Sequence, residues 1–198
     1  EYKKLNASTF YIQIKSFGEN VDTDFDAALT ALKADTNVKK VIFDVRNNPG
    51  GYLDKVSNML SYFVPQGEPT AIVSSGTDDI AYMSQGYTLI DMSKYTKVVL
   101  LQNGGSASAS EIFVGTMKDY FPNYAIIGEQ SYGKGSVQTL KNYYDGSTLK
   151  YTSAKWFTGK SRNGIDKVGI SPDILLPLDS EAMKENKTDN QLEKALQY

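Results

Sequence analysis

Lys97-Val-Val-Leu-Leu-Gln102 runs into Asn103-Gly-Gly-Ser-Ala-Ser108 and then into Ala109-Ser-Glu-Ile-Phe-Val-Gly-Thr-Met-Lys-Asp-Tyr120. The first segment is short and apolar, which predicts a buried strand. The second is a run of small turn formers. The third predicts a helix. The same order recurs upstream. Val38–Val45 predicts a buried strand, Arg46-Asn-Asn-Pro-Gly-Gly51 a turn, and Leu53–Phe63 an amphipathic helix. Before it, Thr9–Lys15 predicts a half-buried strand. Asp22–Ala34 predicts a helix, with Phe25, Ala28, Leu29 and Leu32 at helical spacing. Tyr124–Gly128 predicts a further strand. Alternating strands and helices predict an α/β layer of largely parallel strands, whose active loops follow strand ends.

The remaining segments are more varied. Ala71–Ser74 predicts a short strand, and Thr77–Asp91 is expected to be irregular. Ser136–Tyr144 and Thr148–Phe157 predict a hairpin around Asp145-Gly146. Asp189–Gln197 predicts a terminal helix. No internal repeat or interdomain linker is evident, so residues 1–198 are expected to form a single domain. The chain enters strand-like sequence almost at once, as expected for a domain excised from a longer protein.

Composition removes several classes of chemistry. Cysteine and histidine counts are both zero, which excludes disulfides, cysteine nucleophiles and imidazole-based metal sites. No cofactor or metal is expected. The formal net charge is −2, so no basic field is available for nucleic acid. No stretch is long and apolar enough to span a membrane. Zero cysteine suits an oxidising compartment.

A serine presented between a strand and a helix is placed for nucleophilic attack. The helix N-terminus supplies unpaired N–H groups and positive potential where an oxyanion forms. Ser106, Ser108 and Ser110 all qualify, and each could instead cap the helix. Without histidine the base must be another group, and a lysine serves if it is neutral when it acts. Gly128-Glu-Gln-Ser-Tyr-Gly-Lys134-Gly135 supplies one. It almost spells a phosphate-binding loop, but Gly135 stands where that motif needs a hydroxyl, and β-like sequence follows where it needs a helix. Nucleotide binding is therefore not expected. Glycines on both sides of Lys134 let its backbone approach another loop closely. Gln138 could orient the lysine amine without adding charge. Gly50 and Gly51 are candidate oxyanion donors, with the N–H of Ala109. Tyr52 and Tyr132 stand beside the two glycine loops as candidate cleft residues.

The chain resembles the tail-specific, or C-terminal processing, serine proteases. The stretches that carry the likeness are Val41-Ile-Phe-Asp-Val-Arg-Asn-Asn-Pro-Gly-Gly51, Ser106-Ala-Ser-Ala-Ser-Glu-Ile-Phe113, Ile127-Gly-Glu-Gln-Ser-Tyr-Gly-Lys-Gly-Ser-Val-Gln138 and Gly169-Ile-Ser-Pro-Asp-Ile174. The resemblance implies a Clp-protease/crotonase-like α/β core, with the β-hairpin in its C-terminal part. It implies endopeptidase activity near substrate C-termini through an acyl-enzyme. It places the nucleophile at Ser108, the general base at Lys134 and its orienting partner at Gln138. The implied oxyanion donors are the backbone of Gly51, Gly50 and Ala109. It also implies unfolded or C-terminal protein segments as partners, a PDZ domain upstream of the core, and an extracytoplasmic location. A noncatalytic peptide-binding module on the same scaffold, or a serine–lysine amidase of small substrates, remain the alternatives.

Overall fold

A computed structural model describes residues 1–87 and 90–198. Its main sheet contains β1 (Tyr2–Asn6), β2 (Thr9–Gln13), β3 (Lys40–Asp44), β6 (Lys97–Gln102), β7 (Ala125–Gly128) and β10 (Ile174–Leu175), side by side in that order. From β2 to β10 all neighbours are parallel; β1 alone runs antiparallel. A second, antiparallel sheet has the order β5 (Asp79–Met83), β4 (Pro69–Ser74), β9 (Thr148–Thr158), β8 (Ser136–Asn142).

Both faces of the main sheet are covered, as parallel strands require. Period-two alternation sorts the side chains. Phe10, Ile12, Val41, Phe43, Val98, Leu100 and Ile126 point to one face. There they meet α1 (Val21–Ala34), α2 (Leu53–Leu60) and α3 (Ala109–Tyr120). Phe43, Phe113, Phe25 and Phe63 pack there largely edge to face, with ring centroids 5.7 to 6.5 Å apart. Tyr11, Ile42, Val99, Leu101, Ala125 and Ile127 point the other way. Leu192, Ala195 and Leu196 of α5 (Asn190–Gln197) cover them.

The expected α/β alternation is present, and α3 spans the predicted residues. The hairpin strands form around a five-residue connection closed by Tyr143 N–H to the Ser147 carbonyl at 2.9 Å. The expectation of an irregular segment over Thr77–Asp91 is corrected. Asp79–Met83 is strand β5, paired to β4 through its backbone at a sheet edge. Thr88 and Leu89 of that segment lie outside the described residues. The sequence also gave no sign of β1 or of α4 (Ser180–Asn186).

Three loops leave the C-terminal ends of β3, β6 and β7, which are adjacent parallel strands. These are the segments beginning at Val45, Asn103 and Glu129. The topology therefore brings the three segments singled out in the sequence to one edge of one sheet.

Candidate active site

Ser108 immediately precedes α3, with φ 57° and ψ −116°. A non-glycine residue held there costs on the order of 1–3 kcal/mol and persists only where its surroundings enforce it. Those surroundings are visible. Ser108 N–H donates to the Glu111 carboxylate at 2.8 Å, and Glu111 N–H returns to the Ser108 carbonyl at 2.9 Å. The flanking serines have other duties. The Ser106 hydroxyl donates to the Val45 carbonyl at 2.8 Å and accepts from Asn103 N–H. The Ser110 hydroxyl donates to the Asn48 carbonyl at 2.9 Å. Both are buried, whereas Ser108 is partly open to solvent.

The loop after β3 is fastened to this segment. The Asn48 carbonyl also takes Ala107 N–H at 3.0 Å, and the Asn48 amide donates to the Ile14 carbonyl at 2.8 Å. Asn47 and Asn103 exchange two hydrogen bonds. Gly50 has φ 100°. A Cβ there would lie 2.7 Å from the Ala107 carbonyl, 2.8 Å from Ser108 Cβ and 3.0 Å from Ala109 N. Only glycine permits that approach. Gly50 N–H is taken by the Asn48 side-chain oxygen at 2.9 Å. The N–H groups of Gly51 and Ala109 have no hydrogen-bond partner among the described residues.

The lysine loop joins from the third strand. Tyr132 N–H reaches the Ser106 carbonyl at 3.0 Å. The Glu111 carboxylate accepts the Ser131 hydroxyl and Gly133 N–H, each at 2.6 Å, and Lys134 N–H at 2.9 Å. One buried carboxylate thus holds the backbones of Ser108 and Lys134 together. Gly133 and Gly135 press against residues 166–169, where a Cβ on Gly135 would come 2.2 Å from Asp166 N. The Lys134 side chain is exposed, and its ammonium makes no hydrogen bond or ion pair among the described residues. The Gln138 amide donates to Thr152 Oγ1 at 2.7 Å and Ser136 Oγ at 3.1 Å. The structure therefore joins the serine and lysine loops without joining the lysine amine to either Ser108 or Gln138. Tyr52 and Tyr132 are both exposed beside these loops.

Sequence reasoning passed over Glu111, Asn48 and the partners of Arg46. The Arg46 guanidinium binds Asp44 through Nε at 3.0 Å and Nη2 at 2.6 Å. It binds Asp189 through Nη1 at 2.9 Å and Nη2 at 2.8 Å, and Gln191 through Nη1 at 3.0 Å. Burial alone would favour the neutral guanidine; the two carboxylates outweigh it and raise the Arg46 pKa further. Burial alone would likewise raise the Asp189 pKa. Hydrogen bonds from Arg46 and from the Leu192 N–H instead hold it below the usual carboxylate range. Burial beside Asp44 also pushes the Tyr11 phenol up, and its hydroxyl donates to Asp44 at 2.6 Å. The available sequence signal was Asp44, a charge closing an otherwise apolar strand.

A model of Peptidase family S41 matches residues 8–176. A Staphylococcus aureus protein named "Probable CtpA-like serine protease" is 39% identical over 178 residues, covering 89% of this chain and 34% of the relative. Its namesake from Staphylococcus epidermidis is 35% identical over 98% of this chain and 39% of its own. Among solved structures, a photosystem II D1 C-terminal processing protease superposes with TM-score 0.74 at 32% identity, over 88% of this chain and 43% of its own. The tricorn protease shares the fold at TM-score 0.57 and 16% identity, over 96% of this chain and 17% of its own. Fold and relatives define the class as that of α/β serine peptidases. Within that class, the chain belongs to Peptidase family S41. It spans about a third of the length of the curated relatives it matches.

Proposed function

We propose that this chain is the catalytic core of a serine endopeptidase that cuts protein substrates near their C-termini through an acyl-enzyme. The observation that carries this is the strained Ser108, next in sequence to the unpartnered Ala109 N–H, packed against Gly50, whose neighbour Gly51 also has an unpartnered N–H, and tied to the Lys134 loop through Glu111. In the proposed reaction the neutral Lys134 amine takes the Ser108 proton as Oγ bonds to the scissile carbonyl carbon. Gly51 and Ala109 N–H donate to the oxyanion, each strong donor being worth about 3–4 kcal/mol. On collapse the C–N bond breaks and the Lys134 ammonium returns the proton to the leaving amine. The same lysine then deprotonates a water, whose oxygen bonds to the acyl carbon; the ester C–Oγ bond breaks, the product leaves as the acid, and the Lys134 ammonium returns the proton to Ser108 Oγ. Because Lys134 is solvated in the free chain, the proposal assigns substrate a second role. A peptide laid across Ser108 displaces water from the lysine and brings the amine against Oγ. Gln138 exchanges its hydroxyl partners for that amine. Protein segments with free C-termini are the proposed substrates, and an extracytoplasmic site of action is part of the same proposal.

The test is digestion of an unfolded protein with an apolar C-terminus, read by mass spectrometry, beside Ser108→Ala and Lys134→Ala. Cleavage lost in both variants, by at least about a thousandfold, establishes the pair. Cleavage that survives in Lys134→Ala sinks the lysine-base assignment. Turnover of small amides with none of peptides would favour an amidase.

A further inference from the structure

The terminal helix α5 covers the face of the sheet opposite α1, α2 and α3. It is anchored at both ends to the flanks of one strand. At its C-terminal end, the Lys40 ammonium at the start of β3 donates to the carbonyls of Ala195 and Leu196. At its N-terminal end, Asp189 caps the helix through Leu192 N–H at 2.9 Å and forms a two-pronged ion pair with Arg46, just past the end of β3. Gln191 of the same turn accepts a further bond from Arg46 and is itself fixed by its amide to the Leu176 carbonyl at 2.7 Å.

Arg46 is the second residue of the loop that continues through Asn47 and Asn48 to Gly51. Its own N–H donates to Asp44 Oδ1 at 2.9 Å, so the guanidinium and the backbone of the loop's first turn share one carboxylate. The side chain is 11% exposed. A planar fork held by Asp44 on one edge and Asp189 with Gln191 on the other has a fixed direction. Without the second edge, buried N–H groups lose their partners, and the guanidinium turns toward water. That motion pulls on residue 46, and every hydrogen bond from Asn47 and Asn48 to the serine loop lies directly downstream.

We propose that Asp189, seconded by Gln191, is a positioning residue for the Arg46–Gly51 loop. By this inference the C-terminal helix sets the placement of the Gly51 N–H beside Ser108. The inference deepens the peptidase proposal and rests on it for its catalytic consequence, but not for the clamp itself.

The test compares the chain with Asp189→Asn, Asp189→Glu and Leu196→Ala. Asparagine caps a helix as well as aspartate, so Asp189→Asn removes the charge partner of Arg46 while keeping the cap. Leu196→Ala loosens the far end of α5 and leaves the ion pair alone. Hydrogen exchange read by mass spectrometry is the first measurement. In Asp189→Asn the hydrogen-bonded amides of this loop, those of Arg46, Asn47, Asn48 and Gly50, are expected to exchange on the order of tenfold faster. In Leu196→Ala they keep the parental rate, and Asp189→Glu recovers part of the protection. Peptide turnover is the second measurement. kcat in Asp189→Asn is expected to fall on the order of tenfold, with KM within about twofold. Unchanged exchange over 46–51 in Asp189→Asn overturns the proposal whatever the turnover. Equal loosening in Leu196→Ala overturns it too, because the loop would then follow helix docking in general. Faster exchange with parental kcat rejects the link to catalysis. A parent that cleaves nothing leaves the exchange result to decide the clamp, and only the peptidase proposal fails.

Discussion

Glu111 holds four donors from two loops with one carboxylate, and all four bonds lie between 2.6 and 2.9 Å. An ionised carboxylate only accepts; an amide must donate from one of its two ends. Glu111→Gln therefore keeps the shape and turns an NH2 group toward N–H and O–H donors. It is expected to lose about 2–4 kcal/mol of stability, read as the shift of a urea unfolding curve, with peptide turnover falling alongside. A parental curve would show that the four bonds contribute little. Residues at this scale were unevenly legible. A serine before a helix, a lysine between glycines and a paired-glycine turn each carry their chemistry locally. Glu111 does not. An acidic residue in a first helical turn is the ordinary complement to the helix dipole, and only the fold shows that this one is buried among donors.

At the scale of elements, α3 carries Ser108 at its start and meets the second sheet with its middle. Thr116 Oγ1 donates to the Thr70 carbonyl at 2.9 Å and accepts Gly159 N–H at 3.1 Å. Beside it, Gly115 faces β9. Replacing a helical glycine by alanine ordinarily gains about 1 kcal/mol. Here the new methyl would lie 2.5 Å from Thr158 Cγ2 and 3.2 Å from Ile170 Cδ1. Overpacking of that kind costs about 1–3 kcal/mol, so Gly115→Ala is expected to lower the melting temperature despite its better helix propensity. A raised melting temperature would mean that β9 yields easily. Most elements legible in sequence have a buried face; the exposed β8 and β9 were legible instead through the Asp145-Gly146 turn between them. The twelve residues of α3 are bounded by a glycine–serine turn and a Phe-Pro step, and β3 and β6 carry the apolar runs Val41–Phe43 and Val98–Leu101. Strand β5 escaped notice because nearly all of its side chains are exposed, which leaves no period-two signal. It is a strand by virtue of β4 alone.

At the scale of the molecule, parallel order places β3, β6 and β7 side by side, so three loops far apart in sequence open on one edge. Alternation of strands and helices was enough to foresee that. The Arg46–Asp189 pair was not foreseeable, since its partners lie 143 positions apart and nothing in the Arg46–Gly51 motif points to Asp189. It carries a pH signature. The folded Asp189 pKa lies below its ordinary value of 3.8, so the pair's contribution is fully present above that value and is lost as pH falls through the folded pKa. The difference in melting temperature between the parent and Asp189→Asn is therefore expected to be widest near neutrality and to narrow below about pH 4. A constant difference across that range would assign the effect to something other than the carboxylate charge.

Synthesis gives this long-range pair an order in time. A chain leaving the ribosome N-terminus first exposes Ser108 and Lys134 before Asp189 has been added. Until then Arg46 lacks two of its three side-chain partners, and the face of the sheet under α5 has no cover. The nascent polypeptide would carry Ser108, the proposed nucleophile, beside an unfinished Arg46–Gly51 loop. Under the proposed mechanism it would gain the power to cut only as α5 docks, after the strands and helices that precede α5 in the chain have been made.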